Sequence, residues 1–550
     1  KIMRKLSVSF FFIVLFLFTC GVQDGFARKK KKGVKEVEKE TPYQKLFKGK
    51  TCETVKGLLT IHKMDGKVYF EIPRNLLEKD MLLGSTISET TNNLFGSVGE
   101  KPTDPLCVQF TQTDSIISLR QVNHGYTTEL ANVAQRIRES MKPAVMYNSG
   151  ILAYNPDSTA VVVEMTEFFL RDDEQLTPFS AYAPATWGGR WIVKEFKKDN
   201  SQLGRIKAFE DNVSVQTSLS YEVNLRDGRY YYIYKLPFTS LMTRSFILLP
   251  EEPMRPRIAD SRVGTSFWTK GRIKSGKHGM DNVYLTRRWR LEPVDEAAHR
   301  RGELVEVKKP IVFYVDSLMP KEWRPAIKDA FEAWNVAFER IGFKNVIRVV
   351  DFPKDNPDFD ANNIEYSTIR YAPGWLTVAP TMHFDTRTGE ILNASLCLFD
   401  GFFSMQKTSG ADPNIRKNQF SQEEINDMLR GALMQVAGIN LGLETNLKAS
   451  SAYPTDSLRS PSFTRKYGLS PSVMDNLPFN YVAQPEDVRR GVCMSQKRLG
   501  ECDFYTIKWL YQPIPEATSF EDEVDVLDRW IREGRRNPYL KFGHLMSQFY

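Results

Sequence analysis

Histidine is scarce in this sequence, with six in 550 residues, and cysteine is equally scarce, also six. No CxxC pair occurs. These shortages exclude a zinc-finger scaffold and a disulfide framework. No HExxH, nucleophile elbow or cysteine-bearing catalytic signature is present, so the usual zinc, serine and cysteine hydrolase motifs are missing. The net charge is only +8, and part of it is the run Arg28-Lys29-Lys30-Lys31-Lys32. A block of that kind reads as solvated linker, and no basic patch interleaved with readout residues points to nucleic acid. Repeats and low-complexity tracts are absent. Beyond the first 27 residues no stretch is long and apolar enough to span a bilayer.

What is present begins with a targeting pattern. Lys1, Arg4 and Lys5 precede the apolar core Phe10 to Phe18, and Gly25-Phe26-Ala27 offers a small-residue cleavage site. Residues 1–27 therefore read as a secretory signal, and the chain is expected to be exported, to periplasm or medium. Lipid anchoring through Cys20 ranks second, because Leu17-Phe18-Thr19 fits that signal poorly. Met3 is the expected initiator, and the stop at Phe549-Tyr550 reads as an open end. Five cysteines remain after cleavage; Cys493 and Cys502 are near enough in sequence to pair, which oxidising export permits and spacing does not require.

Composition is that of folded protein, 41% hydrophobic and 26% charged. The length suggests about three or four domains. Residues 28–41 read as a charged linker. Residues 42–135 are β-rich: Leu58, Thr60 and His62 alternate with their neighbours, Asp65-Gly66 is a hairpin turn, and Val68, Phe70 and Ile72 resume the alternation. Val108 to Leu119 suggests a second hairpin. Residues 136–300 read as a mainly antiparallel β module, with strands at 160–165, 213–223 and 230–236. His62, His124, His278 and His299 stand isolated and read as surface or structural residues.

From 301 to 550 the pattern changes. A short strand at Ile311 to Val315 is followed by a long helix opened by Pro320 and capped by Gly342, with apolar residues from Trp323 to Ile341 at three- and four-residue intervals. Strands follow at 346–350, 364–371 and 391–399. The class is α+β with a mixed sheet. A capping box, Ser421 to Glu424, then opens an amphipathic helix through Ile439.

The end of that helix, Gln435-Val436-Ala437-Gly438-Ile439-Asn440-Leu441-Gly442-Leu443-Glu444-Thr445, resembles the active-site helix of metzincin-type zinc metallopeptidases, HExxHxxGxxH. Gly442 falls on the motif glycine, and Ser472-Val473-Met474-Asp475 looks like the Met-turn. Segments at 288–293, 309–314, 388–392, 479–485 and 50–73 also match large secreted bacterial metallopeptidases that carry this helix behind two β-rich modules. An amphipathic helix that never held metal would show the same periodicity; Gly442, Met474 and the flanking matches argue against it. The resemblance implies a zincin domain at 301–550, truncated at its C-terminus, and a zinc cofactor. Here, however, the ligand positions are Gln435, Ile439 and Thr445, and the base position is Val436. Hydrocarbon offers no lone pair, and neutral amide and hydroxyl oxygens are poor zinc ligands. No metal and no catalytic residue is therefore predicted. The expectation is a pseudopeptidase that binds a peptide or protein in a residual cleft, or partners an active relative; its lining candidates are His383, in the segment 381–385 where the cleft-edge strand is expected, Glu444, Asn393 and Ala394, with an exposed edge at 391–395. An active zinc peptidase with unforeseen ligands, a hydrolase with its site within 140–300, and a decaying gene product are the alternatives.

Overall fold

A computed structural model describes residues 40–544, apart from 182, 275–278, 357–358, 375–377, 404–420 and 478. The signal, Cys20, nearly all of the charged linker and His278 lie outside the described residues. Among the described residues no helix is long and apolar enough to cross a membrane.

Asp65 and Gly66 adopt positive φ, 53° and 72°, and join strands Thr60–Met64 and Lys67–Pro73 in the expected hairpin. Asp114 (φ 49°) lies in the turn between Leu106–Thr113 and Ile116–Gln121. These hairpins belong to one twelve-stranded antiparallel sheet. Lys67–Pro73 pairs with Ala160–Glu164, and Met81–Thr90 pairs with Tyr230–Leu248. Strands from both sides of the boundary expected at 135/136 thus share one ladder. The Leu58 amide donates to the Phe209 carbonyl at 2.6 Å and the Lys63 ammonium to Gly204 at 2.5 Å, drawing the first hairpin towards strand Gln202–Ala208. The curled sheet encloses a core of Phe70, Phe110, Phe169 and Phe246, with Phe70 and Phe110 ring centres 5.9 and 5.7 Å from that of Phe246. Burying each such ring contributes roughly 1.5–3 kcal/mol.

The C-terminal part has a five-stranded mixed sheet, in the order Ile347–Asp351, Ile311–Val315, Ser367–Ala372, Ile391–Phe399, Val378–Phe384. All neighbours are parallel except the last pair. The single long helix expected from Pro320 is instead two, Arg324–Glu332 and Asn335–Glu339. At the break the backbone tightens: the Trp334 amide bonds three residues back to Phe331, and the fully buried Trp334 indole donates to the Met434 carbonyl at 3.0 Å. Gly342 (φ 89°) follows as expected.

The edge of this sheet is Val378–Phe384, and Ile391–Phe399 is interior, paired on both sides. Asn393 and Ala394 are fully buried, and the edge strand is not at 391–395. All five described cysteines are free thiols; Cys502 accepts a hydrogen bond from Asn446 Nδ2 at 3.4 Å and is not joined to Cys493.

Candidate functional site

The helix Gln422–Asn440 starts as its sequence dictates. The Ser421 hydroxyl accepts from the Glu424 amide at 3.2 Å, and the Glu424 carboxylate accepts from the Ser421 amide at 2.8 Å. The helix buries Leu429, Leu433, Met434, Val436 and Ala437. Its end is a Schellman turn: Leu443 N–H reaches back to the Gly438 carbonyl and Gly442 N–H to Ile439, both at 2.9 Å. Gly442 holds φ at 86°, and a Cβ there would stand 2.0 Å from the Arg287 carbonyl oxygen. Only glycine fits. The departing chain then bonds to 264–266, with Ser266 N–H on the Gly442 carbonyl and Glu444 N–H on the Gly264 carbonyl.

Beneath the helix lies Met474, 2% exposed. A Cβ on Gly438 would be 2.3 Å from its sulfur and 2.8 Å from the Trp334 ring, so the helix and the turn touch through the bare glycine backbone. The turn is fixed by Asp503, which is fully buried and accepts from Ser472 Oγ at 2.6 Å, Val473 N at 2.9 Å and Gly500 N at 2.8 Å. Burial lifts the Asp503 carboxyl to about 6, against the pull of these bonds. The Met474 carbonyl accepts from Asn446 N–H at 2.9 Å and from Gln435 Nε2 at 3.3 Å.

The framework expected around a metal is therefore in place, and the donor set is not. The Gln435 amide is used to tie the helix to the Met474 carbonyl, Val436 is buried in the core, and Ile439 packs against that core. Thr445 is half-buried, and its amide donates to the Glu444 carboxylate. An amide, a hydrocarbon and a hydroxyl do not fit a tetrahedral zinc. Glu444 reaches one histidine, with Oε1 3.3 Å from Nε2 of His544. No sequence signal links His544, about a hundred residues downstream, to this helix; it is folded back by Gly543 pairing with Asn446 and Leu447.

His383 is on the edge strand but does not face a cleft. It is 1% exposed, and a Cβ on Gly84 of the strand Met81–Thr90 would come within 2.6 Å of its ring. Neither ring nitrogen has a partner of hydrogen-bond geometry. Burial, then the charge of Lys101, hold it well below its ordinary value of 6.5. The folded state thus refuses a proton that the unfolded chain accepts. Stability is full above 6.5 and falls as pH drops below it, by up to about 1.4 kcal/mol per pH unit for one proton. Asp503 contributes the opposite slope over the acid range, so the comparison must be differential. Denaturant titrations between pH 7 and 5 should show a shallower acid loss for His383→Leu than for the parent; identical slopes would assign the loss elsewhere.

The other histidines divide. His62 is structural, bonded to Thr54 Oγ1 at 2.9 Å and Glu71 at 3.1 Å, and His299 Nε2 meets the Ile341 carbonyl at 2.9 Å. His124 is not isolated, contrary to its reading in sequence. Its Nε2 is 3.4 Å from Cys107 Sγ and 3.6 Å from Asp80 Oδ2.

A family model described as Met-zincin matches residues 417–548. Two described as domains of unknown function, DUF5117 and DUF5118, match residues 99–294 and 40–90. No curated protein and no solved structure matches the chain.

Proposed function

We propose that this chain, whose C-terminal region is a metzincin-type zincin domain, acts as a pseudopeptidase that holds a peptide or protein without cleaving it. One observation carries the reading. The turn at Gly442 and the Met474 support are retained, while Gln435 is bonded to the Met474 carbonyl and Val436 is buried where a base would have to stand. Peptide hydrolysis on such a scaffold needs a metal-bound water and a carboxylate to take its proton. Valine takes no proton, and Glu444 is paired with His544.

The peptide-binding element is the strand Val378–Phe384. It ends the sheet, runs antiparallel to its neighbour, and has no strand on its outer side among the described residues. An extended peptide adding there would gain main-chain hydrogen bonds, with side-chain pockets giving selectivity. Export is part of the proposal and rests on the basic start and the apolar core Phe10 to Phe18. The test is retention of a random extended-peptide library by the immobilised protein, with chelator present and absent. Peptides should be retained intact under both conditions. Failure to retain any peptide, or turnover that chelator abolishes, overturns the proposal.

A further inference from the structure

The geometry points to a metal site: Asp80, Cys107 and His124 form a three-ligand pocket for a zinc-class divalent cation on the twelve-stranded sheet. It does not depend on the peptide-binding reading, and none of its residues belongs to the helix Gln422–Asn440.

The convergence follows from strand register. Leu82 stands opposite Cys107 across one ladder. Cys107 is bonded to Val122 on its other side, where the Val122 amide donates to the Cys107 carbonyl at 2.8 Å. Asp80 immediately precedes the strand Met81–Thr90 and His124 follows the strand Ile116–Gln121, so the two flank Cys107 on either side and their ligand atoms converge with its sulfur. Cys107 Sγ is 3.4 Å from His124 Nε2, which is 3.6 Å from Asp80 Oδ2. The three ligand atoms all lie within 4.8 Å of one another. Ligands bound at about 2.0–2.3 Å to a tetrahedral zinc stand roughly 3.3–3.7 Å apart, so the two separations at His124 already suit the ion.

The arrangement is poorly explained as a catalytic relay. Asp80 and Cys107 approach the same imidazole nitrogen, whereas a nucleophile and its orienting acid engage opposite ones. Cys107 is buried beside both partners, and a bound dication takes the proton from a coordinating thiol outright.

The surroundings support the ligands. Gln109 Nε2 donates to Asp80 Oδ1 at 2.9 Å and leaves Oδ2 towards His124. Arg387, 3.4 Å from Asp80 Oδ2, is compensated by the fully buried Asp385, which it grips at 2.8 and 3.1 Å. Lys270 donates to the Arg387 carbonyl at 2.8 Å, and burial brings it down to about 8. Cys107 and His124 line a cavity of about 540 Å³, so the fourth coordination position opens to a water or a ligand donor. Three protein ligands and one open position are the pattern of catalytic rather than closed structural zinc sites.

The experiment uses the full chain, stripped with chelator, dialysed against zinc and then analysed for metal, with cobalt(II) as a spectroscopic probe. The parent should take up about one equivalent of zinc and show a thiolate-to-cobalt charge-transfer band. Cys107→Ala and His124→Ala, checked by circular dichroism for retained fold, should fall to background and lose the band, and Gln435→Ala should keep both. A parent that takes up no zinc overturns the proposal without any variant. So does metal uptake that persists in folded Cys107→Ala.

Discussion

Restoring His, Glu, His and His at Gln435, Val436, Ile439 and Thr445 should convert the C-terminal domain into a zinc-binding one. The four-position variant is expected to take up about one equivalent of zinc more than the parent and to gain peptide cleavage that chelator abolishes. The framework for it exists. Positions 435 and 439 are four apart on a helix whose register is set by a capping box at one end and by a Schellman turn at the other, and Gly442 sends the chain out sharply before 445. Met474 lies under Gly438, between the two helical ligand positions. The variant gives up the bond from Gln435 to the Met474 carbonyl, but Asn446 N–H still holds that carbonyl at 2.9 Å. Introducing a carboxylate at the buried position 436 costs several kcal/mol unless metal and water compensate it. Zinc should therefore raise the melting temperature of this variant far more than that of the parent. Metal uptake equal to the parent's in a folded variant would show that the helix is not aligned with a third ligand at 445, and would remove the argument that the domain once held the ion.

Local signals were readable from sequence, and long-range ones were not. Asp65-Gly66 announced a hairpin, Ser421 to Glu424 a helix start, and Gly442 a helix exit, because each is a short-range constraint on backbone dihedrals. The identity of the edge strand is not of that kind. Ile391–Phe399 reads ILNASLCLF, nearly continuous in apolar residues, which is what a strand covered on both faces requires. Val378–Phe384 carries Pro380, which cannot donate to a ladder and belongs at an edge. The segment around His383, where the resemblance puts the cleft-edge strand, does lie on that edge; the exposed strand expected at 391–395 does not. The sheet that joins 42–135 to 144–248 uses one near pairing, Ile116–Gln121 with Ala144–Tyr154, and far ones that no window reveals, such as Lys67–Pro73 with Ala160–Glu164 and Met81–Thr90 with Tyr230–Leu248. The same holds for Asp80, Cys107 and His124. Each looks ordinary alone, and only the pairing of Met81–Thr90 and Ile116–Gln121 on either side of Leu106–Thr113 brings them together.

The largest loss of stability from a single substitution away from the helix should come from Glu523→Ala. Glu523 is fully buried and accepts from Arg257 Nε at 2.9 Å, Arg257 Nη2 at 3.0 Å and Arg255 Nε at 3.0 Å. Arg257 is itself 2% exposed, and its remaining donor reaches the Trp509 and Gln512 carbonyls at 2.7 and 2.9 Å. This carboxylate joins the segment after the twelve-stranded sheet to the C-terminal helices, beside a cluster of Val263, Trp509, Ile514 and Leu527. Removing it leaves a guanidinium out of water with no counter-charge. A buried pair broken on one side costs about 3–5 kcal/mol, because the surviving charge keeps its desolvation penalty and loses its partner. Exposed pairs such as Arg300 with Glu296 should change stability by less than about 1 kcal/mol when cut. The physical cause can be separated from simple loss of packing. Arg257→Met combined with Glu523→Leu removes both charges and fills the volume, and should recover most of what Glu523→Ala loses. If the double replacement is as unstable as the single one in chemical denaturation, the hydrogen bonds of Arg257 to Trp509 and Gln512, not the charge pair, hold the two regions together.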